Sequence, residues 1–95
     1  MYYVYVLYSE KLKKRYTGVT GDLRNRILEH NRGESSFTSR GMPWKLVYYE
    51  AFISKIDADK EEMFLKSGKG RERLNYCLRD TLKESCLEKS HSAQG

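Results

Sequence analysis

Proline and cysteine are both scarce in this 95-residue chain, which has one Pro and two Cys. The thiols, Cys77 and Cys86, lie late in the sequence, and the two His are widely spaced elsewhere. That pattern is neither a zinc-ligand spacing nor a disulfide framework. Unpaired thiols, with no secretory signal pattern, lead us to expect a cytoplasmic protein. No apolar run approaches the roughly 20 residues of a membrane-spanning helix. Internal repeats are lacking too. The lone proline, Pro43, falls in the stretch 34–43 with Gly and Ser, which marks that stretch as a loop.

What is present is globular in character. Hydrophobic residues make up 39% and charged residues 33%, a balance that excludes a disordered chain. The length suits one compact domain with a modest core. Eight Tyr and one Trp give an aromatic content of 13%. Tyr joins an apolar ring to a hydroxyl, so a Tyr-rich core edge is also a place for chemistry. The formal net charge of +5 favours a polyanionic partner, although many small basic domains bind none.

Periodicity divides the chain into a few elements. Tyr2 to Tyr8 is β-branched and aromatic throughout, as expected of a central strand covered on both faces. A polar turn with four Lys/Arg, Ser9 to Arg15, leads to a second short strand at Tyr16–Thr20, forming a hairpin. Asp22 to Arg32 reads as a helix, capped by Thr20 or Asp22 and ended by Gly33. Leu23 and Ile27 form its buried stripe, flanked by Leu28. Trp44 to Phe52 is a third strand. A second helix is expected from Asp57 to Leu65 or Lys66, a break at Ser67–Arg71, and a further helix from Glu72 into the eighties. The tail from Ser90 has no periodicity and is expected to fray. The order β-β-α-β-α-α gives an α+β fold, a small three-stranded antiparallel sheet flanked by helices. We expect a single domain over residues 1–83 and a variable tail over 84–95.

Several residues invite a chemical reading. Two strands supply Tyr5 and Tyr16, eleven positions apart across one hairpin. Arg26 and His30 lie one helical turn apart on one face, at the margin of the apolar stripe. A surface Arg whose stem packs on the core is the simpler account of Arg26 alone, and a satisfied or exposed side chain that of His30. Glu62 points at the sheet if Ala58 and Leu65 define the buried stripe, and at water if Ile56, Met63 and Phe64 do. Pattern alone does not choose it over Glu50, Asp59 or Glu61. The run Ser67-Gly68-Lys69-Gly70-Arg71 lacks P-loop spacing, and a helix–helix turn is the commoner use of such glycines. Lys11, Lys13, Lys14 and Arg15 on the hairpin loop are either DNA-backbone contacts or solvated charges.

Taken together, Tyr3-Val4-Tyr5, Tyr16-Thr17-Gly18 and the run from Val19 to Asn31 resemble the GIY-YIG nuclease superfamily. The segments Thr38 to Tyr49 and Asp57 to Arg71 are similar to its small stand-alone bacterial members. The resemblance covers roughly residues 2 to 75. Tyr3 stands at the GIY glycine and Thr17 at the YIG isoleucine, positions that do not carry the family's chemistry.

The resemblance implies a metal-dependent phosphodiester hydrolase acting on DNA, in DNA repair or processing. It places Tyr5 as general base assisted by Tyr16, Arg26 at the scissile phosphate, His30 orienting a water or Tyr hydroxyl, and Glu62 holding one Mg²⁺ or Mn²⁺. An unperturbed Tyr, with a pKa of about 10, is a poor base at neutral pH. A guanidinium and a divalent ion are expected to lower it. Lys14, Arg40, Lys69 and Arg71 are expected to contact nucleic acid. The alternatives are a DNA-binding module that needs a partner to cut, and a Tyr-rich protein-interaction domain. Holding Tyr5, Tyr16, Arg26 and Glu62 together has no purpose in the latter.

Overall fold

The computed structural model describes residues 1–82. Three strands form one antiparallel sheet: β1 (Tyr2–Ser9), β2 (Lys14–Thr20) and β3 (Trp44–Phe52), in the order β2-β1-β3. Three helices pack on it: α1 (Leu23–Asn31), α2 (Lys55–Lys66) and α3 (Gly68–Cys77). The expected α+β architecture and element order are therefore those observed. The first strand is the central one, which explains why Val4 to Ser9 are all buried. None of the helices among the described residues is long and apolar enough to cross a membrane.

Side-chain alternation along β1 creates two cores. Val4 and Val6 point to one face and join Ala58, Leu65, Leu74 and Leu78. Tyr5 and Leu7 point to the other and join Trp44, with Tyr16, Leu23, Ile27 and Met42 around them. Each fully buried aliphatic side chain contributes roughly 1.5–3 kcal/mol, so the α2/α3 face supplies much of the fold's stability.

The element boundaries depart from expectation in three places. The hairpin is tighter than the sequence pattern implies, because β1 runs on to Ser9, which pairs with Lys14. Lys13 closes the turn in the left-handed region, φ 58°. Helix α2 starts two residues early, since Ser54 caps it by accepting from the Asp57 amide at 3.3 Å. The largest difference is α3, which begins at Gly68 rather than Glu72. Ser67 ends α2 and caps α3 at once, its hydroxyl accepting from the Gly70 amide at 3.2 Å. A Cβ on Gly70 would collide with the Phe64 carbonyl and the Leu65 backbone, so this glycine permits the two helices to meet. The Gly-rich run is a helix start and a packing contact. Beyond α3 the chain turns at Leu78 and is helical again over residues 79–82. Cys86 and the tail expected over 84–95 lie outside the described residues.

Candidate active site

Helix α1 is capped by Asp22, whose carboxylate accepts from the Asn25 amide at 3.2 Å, and Gly33 (φ 75°) follows its C-terminus. Leu23 and Ile27 pack on the Tyr5 core as expected, but Leu28 is 51% exposed. His30, expected at the margin of this stripe, is its one fully buried member, at 0% exposure. The loop that follows covers it. Thr38, 1% exposed, folds back so that its hydroxyl lies 2.7 Å from His30 Nδ1. Its carbonyl accepts from the Trp44 indole at 2.6 Å. Asn31 grips the first residue of β3 from both sides, accepting from the Trp44 amide at 2.6 Å and donating to its carbonyl at 3.0 Å.

The Tyr5 hydroxyl is the hub. It lies 3.0 Å from His30 Nε2 and accepts from Arg26 Nε at 3.3 Å. These distances admit an arrangement in which the phenol proton and both imidazole nitrogens are paired. Arg26, a donor only, occupies a lone pair of the phenol oxygen. The phenol proton then points to Nε2, and Nδ1–H donates to Thr38. Arg26 is oriented from its other side by Glu29, NH1 to Oε1 at 2.9 Å. The Tyr16 ring packs against His30 with centroids 4.9 Å apart, and lies 6.3 Å from the Tyr5 ring. Gly18, opposite Tyr5 in the β1–β2 register, is required here: a Cβ would stand 2.6 Å from the Tyr5 hydroxyl.

Electrostatics at the hub favour the neutral pair. Burial raises the Tyr5 pKa above its ordinary value, outweighing the pull of Arg26 in the opposite direction. The expected net depression by the guanidinium therefore does not hold in the chain by itself. Burial first, and then the positive charge of Arg26, lower His30 and keep its imidazole neutral. The Glu29 hydrogen bond, followed by that to Tyr5, raises Arg26, which stays charged throughout.

Glu62 reaches this region from α2. Ala58 and Leu65 are buried while Ile56 and Met63 are exposed, so the first of the two possible stripes is the real one. The Glu62 side chain is 24% exposed and accepts from Lys66 at 3.1 Å. Its negative charge is felt at the Tyr5 hydroxyl. Among the described residues no three His, Cys, Asp or Glu side chains gather as a ligand set. Glu62 thus offers one carboxylate, a donor set that suits Mg²⁺ or Mn²⁺ retaining water and phosphate oxygens as its other ligands.

Tyr5 is thus hydrogen-bonded to both Arg26 and His30, Tyr16 adjoins them, and Glu62 acts electrostatically on Tyr5. Of the four basic residues singled out from sequence, Lys14 and Arg71 line one groove of about 970 Å³ beside Tyr16, together with Arg15 and Lys66. Lys69 on the first turn of α3 and Arg40 in the 3-10 segment Ser39–Gly41 are exposed and line no part of it. Sequence reasoning missed Thr38 and Asn31, whose roles depend on where the 33–43 loop returns. It also passed over Gly18, for which the glycine in Tyr16-Thr17-Gly18 was a usable signal.

Comparison with known proteins bears on the family and the fold. The GIY-YIG catalytic domain matches residues 1–75. A UPF0213 protein of Clostridium perfringens is 38% identical over 90 residues, covering 94% of this chain and 96% of that one. A UPF0213 protein of Streptococcus pyogenes is 41% identical over 76 residues, covering 78% and 82%. The solution NMR structure of a UPF0213 protein from Bacillus halodurans is similar in fold. Its TM-score is 0.51 at 36% identity, covering 81% of this chain and 85% of that one.

Proposed function

The chain belongs to the GIY-YIG catalytic-domain family, and from that premise we propose that it is a nuclease that hydrolyses the phosphodiester backbone of DNA, with one Mg²⁺ or Mn²⁺ on Glu62. The observation that carries the reading is the Tyr5 hydroxyl, held between a guanidinium that donates to it at 3.3 Å and a buried imidazole whose Nε2 lies 3.0 Å away.

Each residue then has a task that its geometry suits. Tyr5 passes its proton to His30 Nε2, and the phenolate takes a proton from the attacking water as the water oxygen bonds to phosphorus and the P–O bond to the departing strand breaks. The departing oxygen takes a proton from solvent, and Tyr5 releases its extra proton to water and regains the one held by His30. Thr38 keeps the proton of the resting imidazole on Nδ1 and so leaves Nε2 open. Arg26 Nε stabilises the phenolate, and the guanidinium edge not engaged by Glu29 faces the charge that builds on the phosphate. Tyr16 packs on His30 and holds the ring in line. A divalent ion held by Glu62 would supply Lewis acidity to the reaction and a charge that favours the phenolate. We assign the activity to DNA repair or processing in the cytoplasm, a placement that the scarcity of cysteine in the chain supports.

Nicking of supercoiled plasmid in Mg²⁺ or Mn²⁺ tests the proposal. Arg26→Ala and Glu62→Gln are each expected to slow nicking by about 10²-fold or more. Equal cutting by wild type and both variants overturns it. Tight DNA binding with no cutting by the wild type would instead indicate a binding module that relies on a partner.

A further inference from the structure

Most arginines whose guanidinium is engaged in this protein have a carboxylate at hand. Arg26 pairs with Glu29, Arg32 with Glu34, and Arg73 with Glu50 and Glu61. Arg15 and Arg71 break that habit. They line the groove between the start of β2 and the α2–α3 pair, and among the described residues no Asp or Glu lines it with them. NH1 of Arg15 is shut off from water and has no hydrogen-bond partner. Burial, and the like charge of Arg71, hold the Arg15 pKa below its ordinary value. A partly buried, unsatisfied cation facing a second cation costs stability in the chain alone. The cost is recovered when an anion with several acceptor oxygens enters between the two guanidiniums.

The position of the groove identifies that anion. Tyr16 lines it while packing against His30, and Lys66 lines it while bonded to Glu62. The groove therefore opens beside the proposed cutting site and continues round the free edge of β2. At about 970 Å³ it lies at the upper end of the roughly 300–1,000 Å³ typical of small-ligand sites, with room for more than a lone phosphate.

We propose that this groove is a phosphodiester channel in which Arg15 and Arg71 clamp a backbone phosphate of the same DNA strand that is cut beside Tyr5. The identity of the ligand rests on the nuclease reading, and the clamp itself rests on the groove. The strand bends around the β2 edge from the α1 side of the sheet to the α2/α3 side. Arg15 anchors it from within, and Lys14 and Lys66 flank it.

The test is fluorescence anisotropy of a labelled short duplex without divalent metal, over a range of NaCl concentrations. It uses the full chain, Arg15→Met, Arg71→Gln and, as a control, Lys60→Gln, which removes the same charge from an exposed position on α2. Each groove variant is expected to weaken binding about tenfold and to reduce the salt slope by about 1. Lys60→Gln should stay within about twofold of wild type. Arg15→Met removes an unsatisfied buried group, so its Tm should hold or rise while affinity falls. Arg71 is exposed, so Arg71→Gln tests the clamp without endangering the fold.

Groove variants indistinguishable from Lys60→Gln would overturn the proposal. So would competition by a mononucleotide as effective as competition by DNA, because the ligand would then be a free nucleotide. Plasmid nicking separates this inference from the reading beneath it. Normal nicking by Arg15→Met and Arg71→Gln refutes the clamp and leaves the nuclease. Salt-dependent binding through the groove with no nicking by the wild type refutes the nuclease and leaves the clamp.

Discussion

The two faces of the β1 strand divide the work of the protein between them. On one, Val4 and Val6 meet Ala58, Leu65, Leu74 and Leu78 in an aliphatic cluster. On the other, one residue along, Tyr5 meets His30, Thr38 and Arg26 in a chain of hydrogen bonds closed to water at its inner end. The contrast shows how a domain of this size can keep a buried imidazole. Polar groups removed from water gain little net stability even when fully bonded. The apolar face supplies the margin that the polar face consumes.

That division can be broken most sharply at Tyr5. Tyr5→Phe is expected to lower cleavage by about 10²–10⁴-fold. It leaves His30 Nε2 without a partner, which costs on the order of 1–3 kcal/mol and leaves the protein folded. A Tyr5→Phe protein that cuts at the wild-type rate would make the polar face a purely structural network. Leu78→Ala probes the opposite face. Its urea midpoint should fall by the equivalent of roughly 2–5 kcal/mol, with cleavage per folded molecule unchanged. Loss of activity without loss of stability in this variant would show that the faces are not separable.

A smaller effect, specific to the polar side, comes from pH. Burial holds the His30 pKa below that of the unfolded chain. Below the ordinary value of about 6.5 the unfolded state therefore binds the proton more readily than the folded one. The stability contributed by neutral His30 is complete above that pH and is lost as the pH falls through the folded-state value. Urea midpoints measured downward from neutral pH should decline more steeply for wild type than for His30→Gln. Parallel profiles would mean that the imidazole is not protected from protonation.

How much of this was legible in the sequence differs between the same two faces. The strands could be read directly, because β1 and β3 are dense in Val, Tyr and Leu and the hairpin residues between β1 and β2 are polar. The identity of Tyr5, Tyr16, Arg26 and His30 as a group followed from family-like spacing. Their depth did not. A helical wheel shows only the face of α1 that turns to the sheet, whereas His30 is buried by the 33–43 loop, a stretch with no periodicity to announce its path. Glu62 was ambiguous for a related reason: two stripes of α2 are equally apolar on paper, and only docking against β1 and β2 selects Ala58 and Leu65. The start of α3 was misplaced because glycine usually interrupts a helix, while here Gly70 is present to let two backbones touch. Arg15 read only as one of four hairpin-loop cations, either touching a DNA backbone or solvated. It stands out from them because its NH1 is buried without a partner and, among the described residues, no acid lines its groove.

The sealing of His30 has a consequence for proton traffic. Its Nε2 communicates with the outside solely through the Tyr5 oxygen, and its Nδ1 ends at Thr38, itself closed off. The imidazole is a cul-de-sac. Whatever enters by the phenol must come back by the phenol, so the ring stores rather than conducts, and each round of turnover must end with the same doorway used in reverse.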